Sequence, residues 1–101
     1  MKTQMPLDTM AQNAAKAEAM LKLLANANRL MVLCHLVQQE HTVSELVEMV
    51  GLSQSSVSQH LAKMREQEIV SHEKRGQHVY YRIASPEVSA LLSTLYLIYC
   101  K

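Results

Sequence analysis

The apolar positions in the first third of the chain follow a helical period. Between residues 8 and 25 they recur at steps of three and four, which predicts an amphipathic first helix with Asp8 as its N-cap. These positions are Met10, Ala14, Ala17, Leu21 and Leu24. Residues 30–37 are apolar or sulfur-bearing at every position but one, which is too apolar for a surface helix. We therefore expect a central, buried second helix over residues 28–39, which carries Cys34.

Two short helices separated by a turn are predicted next. The first is capped by Thr42 or Ser44 and ends at Gly51, and the second is capped by Ser53 and runs to about Gln67. The inward stripe of this fourth helix is formed by Val57, Leu61 and Met64. Two short helices around a Gly-Leu-Ser turn are typical of a helix-turn-helix.

A hairpin and a last helix complete the pattern. Two β-rich runs, 69–74 and 78–84, are joined by three residues that include Gly76, which predicts a β-hairpin or wing. Ser85 and Pro86 then begin a final helix through their N-cap and N1 preferences. The predicted fold is mainly α with a small β-hairpin wing, a winged helix-turn-helix in the order α-α-α-α-β-β-α.

Composition limits the class of protein. The chain has 101 residues, of which 49% are hydrophobic and 19% are charged. These values fit one compact domain over residues 1–101 and exclude disordered or fibrous classes. No apolar run approaches the roughly 18 residues of a membrane span, and the polar residues after Lys2 do not resemble a secretory signal. We therefore predict a cytoplasmic protein with no membrane partner.

Charge is distributed unevenly along the chain. The net charge of +1 does not indicate a polyanionic partner. Residues 38–52 nevertheless hold three Glu and no Lys or Arg, whereas residues 53–84 hold five Lys or Arg against three Glu, a local excess of +2. Basic charge is therefore concentrated around the fourth helix and the hairpin.

The outward face of the fourth helix is small, polar and rich in hydrogen-bonding groups. Gln and Ser can pair with base edges in a DNA major groove, while Lys63 and the helix N-terminus suit phosphates. Lys74 and Arg75 add two cations at the hairpin tip. An ordinary solvated face is the alternative, but such faces are usually rich in Glu and Lys. The predicted DNA-binding residues are Gln54, Ser55, Ser56, Ser58, Gln59, Lys63, Lys74, Arg75 and His78.

The last helix is apolar on more than one side. Its apolar residues are Val88, Leu91, Leu92, Leu95, Tyr96, Leu97, Ile98 and Tyr99. A domain this small cannot bury all of them in its own core, and exposed apolar surface of that extent usually marks an interface. We expect a homodimer formed through the terminal helices; the alternative is a helix buried within one protomer.

Cys34 and Cys100 are the remaining candidates for chemistry. A free Cys is often only a small buried hydrophobe. These two, however, lie on the second and the last helix, which must pack together, and a thiol pair across such a joint can form a covalent sulfur bridge. The histidines show no metal-ligand spacing, and no phosphate loop or nucleophile elbow is present. We therefore predict a redox switch, with no enzyme activity, no metal and no cofactor.

Three sequence blocks resemble the ArsR/SmtB family of winged-helix repressors. They are LSQSSVSQHL at 52–61, TVSEL at 42–46 and RGQHVYY at 75–81, in family order and spacing. NRL at 28–30 resembles the opening of the family's second helix. The resemblance covers nearly the whole chain, and it implies a homodimer that binds a palindromic double-stranded DNA operator and releases it when an inducer binds.

The usual metal sites of that family are missing. Thr42 and Ser44 stand where some members carry cysteines, and no Asp or His follows Ser85. Two cysteines in one chain also cannot supply a three-thiolate arsenite site. The segments LMVLC at 30–34 and LYLIYC at 95–100 are instead similar to the branch of BigR and SqrR, sensors of reactive sulfur, and of the HlyU regulators.

That resemblance implies that Cys34 and Cys100 form a polysulfide or disulfide bridge within one protomer and that the operator affinity then falls. The sequence thus predicts a thiol-based transcriptional repressor whose inducer is a reactive sulfur species or an oxidant. Two alternatives remain. One is a winged-helix regulator without a cysteine switch, and the other is a metal-responsive regulator that uses Cys34 with His35.

Overall fold

The computed structural model describes residues 6–100, which form five helices and one antiparallel strand pair. The elements are α1 (Leu7–Leu24), α2 (Ala27–Gln38), α3 (Val43–Val50), α4 (Gln54–Glu66), β1 (Val70–Arg75), β2 (His78–Ile83) and α5 (Pro86–Tyr99). This order confirms the predicted winged helix-turn-helix. Lys2 and its polar neighbours, on which the prediction of no secretory signal rests, lie outside the described residues.

Side-chain capping explains where four of the helices begin, three of which were predicted to be capped. Thr42 accepts a hydrogen bond from the backbone N–H of Glu45 at 3.2 Å, and the Glu45 carboxylate accepts one from the N–H of Thr42 at 3.0 Å. This reciprocal capping box selects Thr42 rather than Ser44 as the first residue of the turn into α3. Ser53 and Ser85 cap α4 and α5, as predicted.

The beginnings of α1 and α2 differ from the prediction. Pro6 precedes the first residue of α1, so the assignment of Asp8 as N-cap is wrong. Asp8 lies within the first turn, where its charge is favourable beside the N-terminal end of the helix dipole. Asn26 caps α2 by accepting a hydrogen bond from the N–H of Arg29 at 3.0 Å.

The second helix is buried on one face only. Val32, Leu33 and Leu36 are in the core. Met31 is 51% exposed and Val37 is 40% exposed, and Cys34 is exposed as well. The expectation of a central, buried helix is therefore confirmed for one face only, because the core covers only one side of α2.

The core lies between α2, the helix-turn-helix, the base of the hairpin and the first half of α5. The predicted inward stripe of α4 is fully buried. The buried apolar residues are Leu23, Leu24, Val32, Leu33, Leu36, Leu46, Val57, Leu61, Met64, Ile69, Val70, Val88 and Leu92.

Backbone pairing fixes the hairpin relative to the helices. Arg75 pairs with His78, so that Gly76 and Gln77 form a two-residue turn, and Gly76 adopts the positive φ of 62° that such a turn favours. His41, between α2 and α3, exchanges two backbone hydrogen bonds with Tyr81 of β2, at 3.1 and 2.8 Å. The wing is thereby attached to the segment that leads into the helix-turn-helix.

No single helix between residues 6 and 100 has both the length and the apolar character to cross a membrane. Helices α1 and α2 meet those criteria only when taken together, and they meet at a bend of 93°.

Candidate nucleic-acid interface and thiol pair

The predicted base-reading residues lie on the surface of α4. Val57, Leu61 and Met64 point into the core, and the opposite face is left to solvent. The exposed candidates on α4 are Gln54, Ser55, Ser58, Gln59 and Lys63, while Ser56 is half-buried. The backbone N–H of Ser56 donates to the side chain of Ser53 at 3.1 Å, which satisfies one of the N–H groups in the first turn of α4.

A hydrogen-bonded arginine holds α4 against the first two helices. Arg29, near the start of α2, donates from Nε to Nδ1 of His60 at 3.2 Å. Its Nη1 donates to the carbonyl of Leu23 at 3.1 Å. Arg29 therefore connects the end of α1, the start of α2 and the middle of α4. Sequence reasoning missed this contact, since its members are 31 positions apart.

The Arg29 contact requires a neutral His60, because Nδ1 can accept only when it carries no proton. Partial burial lowers the pKa of His60 from its ordinary value, and the positive charges of Arg29 and Lys63 lower it further. The unfolded chain therefore binds a proton more readily than the folded protein. The folded state is stabilised above the ordinary pKa of 6.5, and this contribution is lost as pH falls below it.

We accordingly expect the thermal midpoint to fall between pH 7.5 and pH 5.5 by more in the parent than in His60→Gln, since Gln keeps an acceptor but does not titrate. Differential scanning calorimetry at the two pH values measures this. His78→Gln, at the exposed wing tip, is the control and should behave like the parent. Equal pH sensitivity of the parent and the His60 variant would contradict the assignment.

The candidate residues of the wing are all exposed. Lys74, Arg75 and His78 surround the hairpin turn. Arg75 donates to both carboxylate oxygens of Glu40, at 2.5 and 2.6 Å, and also to Glu73. These bonds lower the pKa values of both carboxylates. The structure therefore shows one predicted phosphate contact engaged with two acidic side chains, which the sequence did not indicate.

The two thiols line one groove. Cys34 lies on α2, Cys100 caps the end of α5, and both are free and exposed. The groove between the two helices has a volume of about 780 Å³ and a mainly apolar lining that includes Met31 and Tyr96. The wall of the groove partly buries Cys34, which raises the pKa of its thiol, and the nearby Cys100 raises it further. Cys34 is therefore mostly protonated at neutral pH.

A raised thiol pKa predicts a particular pH dependence of alkylation. The rate of iodoacetamide modification of Cys34 should keep rising with pH beyond the pH at which an ordinary thiol levels off, since only the thiolate reacts. An unstructured peptide with one Cys, whose thiol has a pKa of about 8.5, serves as the reference and should level off at lower pH. Peptide mass spectrometry follows Cys34 separately from Cys100. If the alkylation rate of Cys34 levelled off at a lower pH than that of the reference, the result would contradict the structure.

Within residues 6–100, no group of three His, Cys, Asp or Glu side chains is placed to hold a metal ion.

Comparison with known proteins identifies the family of the chain. Residues 26–72 match the family described as "Bacterial regulatory protein, arsR family". The chain is 43% identical over 97 residues to the transcriptional activator HlyU of Vibrio cholerae, a match that covers 96% of this chain and 90% of that protein. It is 35% identical over 97 residues to the biofilm growth-associated repressor of Agrobacterium fabrum, covering 96% of this chain and 83% of that one.

Solved structures agree with the sequence matches. Reduced HlyU from Vibrio cholerae superposes with a TM-score of 0.87 at 43% identity, covering 92% of this chain and 98% of that one. The repressor BigR from Xylella fastidiosa superposes with a TM-score of 0.87 at 33% identity, covering 96% and 99%.

The chain is a winged helix-turn-helix transcription regulator, a DNA-binding protein and not an enzyme. It belongs to the ArsR family, whose members bind DNA and are typically dimers. The HlyU and BigR relatives confirm the predicted branch, and by name they include both an activator and repressors.

Proposed function

We propose that this regulator is a thiol-responsive repressor. As a dimer it binds a palindromic operator through α4 and the wing, and it releases the operator when a reactive sulfur species or an oxidant bridges Cys34 and Cys100. The observation that carries the proposal is the shared groove of the two thiols, which lies where α2 packs against α5. A covalent bridge there would join the helix that supports the DNA-binding module to the last helix of the chain.

The bridging reaction balances with a persulfide as the oxidant. The thiolate of Cys34 attacks the outer sulfur of RSSH, forming a persulfide on Cys34 and expelling RSH. The thiolate of Cys100 then attacks the Cys34 sulfur and expels hydrogen sulfide. The protein has lost two electrons and two protons, while RSSH has been reduced to RSH and H₂S. Peroxide gives the same disulfide through a sulfenic acid, with water as the product.

The dimer is supported by apolar surface on both terminal helices. Leu7 and Leu21 on α1 are 71% and 55% exposed. The end of α5 exposes a larger set, consisting of Tyr96, Leu97, Ile98 and Tyr99. Contiguous apolar surface of this kind is characteristic of an interface between protomers. A dimer through α1 and α5 would place the bridge next to the interface, where a change in α5 alters the relative positions of the two copies of α4.

A modest energetic effect is sufficient for release. Allosteric coupling energies of about 1 to 3 kcal/mol change affinity by roughly 5- to 150-fold. The two copies of α4 must match major-groove segments about 34 Å apart, so a bridge that favours another dimer geometry weakens binding to the whole operator.

Base reading is assigned to the exposed polar side chains at the start and middle of α4. Gln59→Ala should weaken operator binding by about 1 to 3 kcal/mol and leave binding to random DNA almost unchanged, because the lost contact is to a base edge. Fluorescence anisotropy with both DNAs measures the difference. Gln67→Ala, at the far end of α4, is the control and should bind like the parent. Equal losses on both DNAs for the Gln59 variant would reject base reading.

The thiol switch is tested with single serine substitutions. Cys34→Ser and Cys100→Ser should bind operator as the parent does, but only the parent should release it after persulfide treatment, since a bridge needs both sulfurs. Mass spectrometry of the parent should show loss of both free thiols within one chain, and a reductant should restore binding.

Treatment with peroxide in a parallel experiment identifies the effective oxidant. If the parent and both serine variants release the operator to the same extent, the result would instead support a regulator of this family without a cysteine switch.

A further inference from the structure

At the wing tip, the guanidinium of Arg75, which is proposed to bind a DNA phosphate, is already held in ion pairs. Arg75 is exposed, and its guanidinium lies 4.9 Å from the ring centroid of Tyr80, which supports one face. The charges of Arg75 and Arg82 are balanced by those of Glu40 and Glu73. The basic wing predicted from the sequence is therefore locally neutral on this side.

The hydrogen bonds of Arg75 leave little donor capacity. A guanidinium has five N–H donors. Nη1 donates to one oxygen of Glu40, and Nη2 donates to the other oxygen and to Glu73 at 3.1 Å. Nε donates to Glu73 at 3.3 Å. Four donors are thus engaged, and a phosphate can gain a paired contact only by displacing a carboxylate.

Of the two carboxylates bound to Arg75, that of Glu40 is the one that a phosphate can displace. Glu73 lies on the same strand as Arg75 and is also held by Arg82 at 3.2 Å. Glu40 comes from the segment between α2 and α3, and in residues 6–100 its only side-chain hydrogen bonds are those to Arg75. Its two oxygens occupy the same fork of N–H groups that would hold two oxygens of a phosphate.

We propose that Glu40 is a built-in competitor for DNA: it holds Arg75 in the free protein, and DNA binding exchanges its carboxylate for a backbone phosphate. The inference rests on the proposed contact between the wing and DNA. Glu40 thereby limits affinity for every DNA sequence alike, because a phosphate carries no base identity. Because operator and random DNA are affected by the same factor, the preference for the operator, which comes from the contacts of α4, is unchanged.

The exchange reduces the salt dependence of binding. Lys63, Lys74 and Arg75 give six cations per dimer, which correspond to a log–log salt slope of about −5 at roughly 0.9 per contact. If each Arg75 gives up a carboxylate when it gains a phosphate, its net contribution shrinks, and the slope approaches about −4.

Glu40→Gln tests the exchange. An exposed ion pair is only weakly stabilising, so removing the Glu40 contact from the two copies of Arg75 in a dimer should tighten binding about 2- to 30-fold. The gain should be the same on operator and random DNA, and the salt slope should steepen by about 1. Glu48→Gln, an equal charge change on α3 that leaves the Arg75 contacts intact, is the matched control and should gain less.

The decisive comparison is made in an Arg75→Gln background. There, Glu40→Gln should gain no more than Glu48→Gln does, since no fork remains to be freed. A gain of equal size in both backgrounds would show that Glu40 acts only through long-range charge, and weaker binding by Glu40→Gln alone would show that the ion pair positions the wing. Either result overturns the proposal. Thermal unfolding of each variant confirms that it is folded.

The same variants separate this proposal from the one on which it rests. If Arg75→Gln weakens binding in the Glu40→Gln background while Glu40→Gln alone binds like the parent, the wing contact stands and the exchange is wrong. If Arg75→Gln has no effect in that background, the wing contact itself is wrong, and the exchange fails with it.

Discussion

The structure depends on one packing constraint, which is that α2 can bury only one of its faces. With 3.6 residues per turn, burying Val32, Leu33 and Leu36 forces Met31 and Cys34 to the opposite side. The buried face holds the core together, because α2 contacts α1, α3, α5 and β2. The opposite face forms the groove with α5. The helix that organises the fold is therefore also the helix that exposes a thiol.

Because the domain is small, its core cannot cover all of the apolar residues of α5. A domain of about 100 residues has enough core to fix α3, α4 and the hairpin, but too little to cover both faces of α5. Val88 and Leu92, in the first half of α5, are buried, whereas the second half is exposed from Leu95 onward. Cys100 stands at the end of this exposed half. The two thiols thus lie on a helix that contacts four other elements and at the exposed end of another helix.

The sequence could predict those features that depend on residues close together along the chain. The capping of α3 by Thr42, the end of that helix at Gly51 and the inward stripe of α4 all follow from residues within one or two turns of each other. Long-range contacts could not be predicted in this way. Glu40 and Arg75 are 35 positions apart, and nothing in either local segment indicates that they meet. Because the residues around Cys34 are almost all apolar, the sequence does not show which face of α2 is exposed. That face became evident only from the packing of the rest of the fold.

The two long-range contacts have a common origin, because they start from opposite ends of the same helix. Arg29, at the start of α2, holds the middle of α4 through His60, while Glu40, just beyond its end, holds the wing through Arg75. Both elements proposed to touch DNA are therefore attached to the helix that carries Cys34. Since these attachments are a few exposed or half-buried polar bonds, a small displacement of α2 is enough to alter them. In the proposed switch, a bridge that displaces α2 would act on α4 through Arg29 and His60, in addition to any change in dimer geometry.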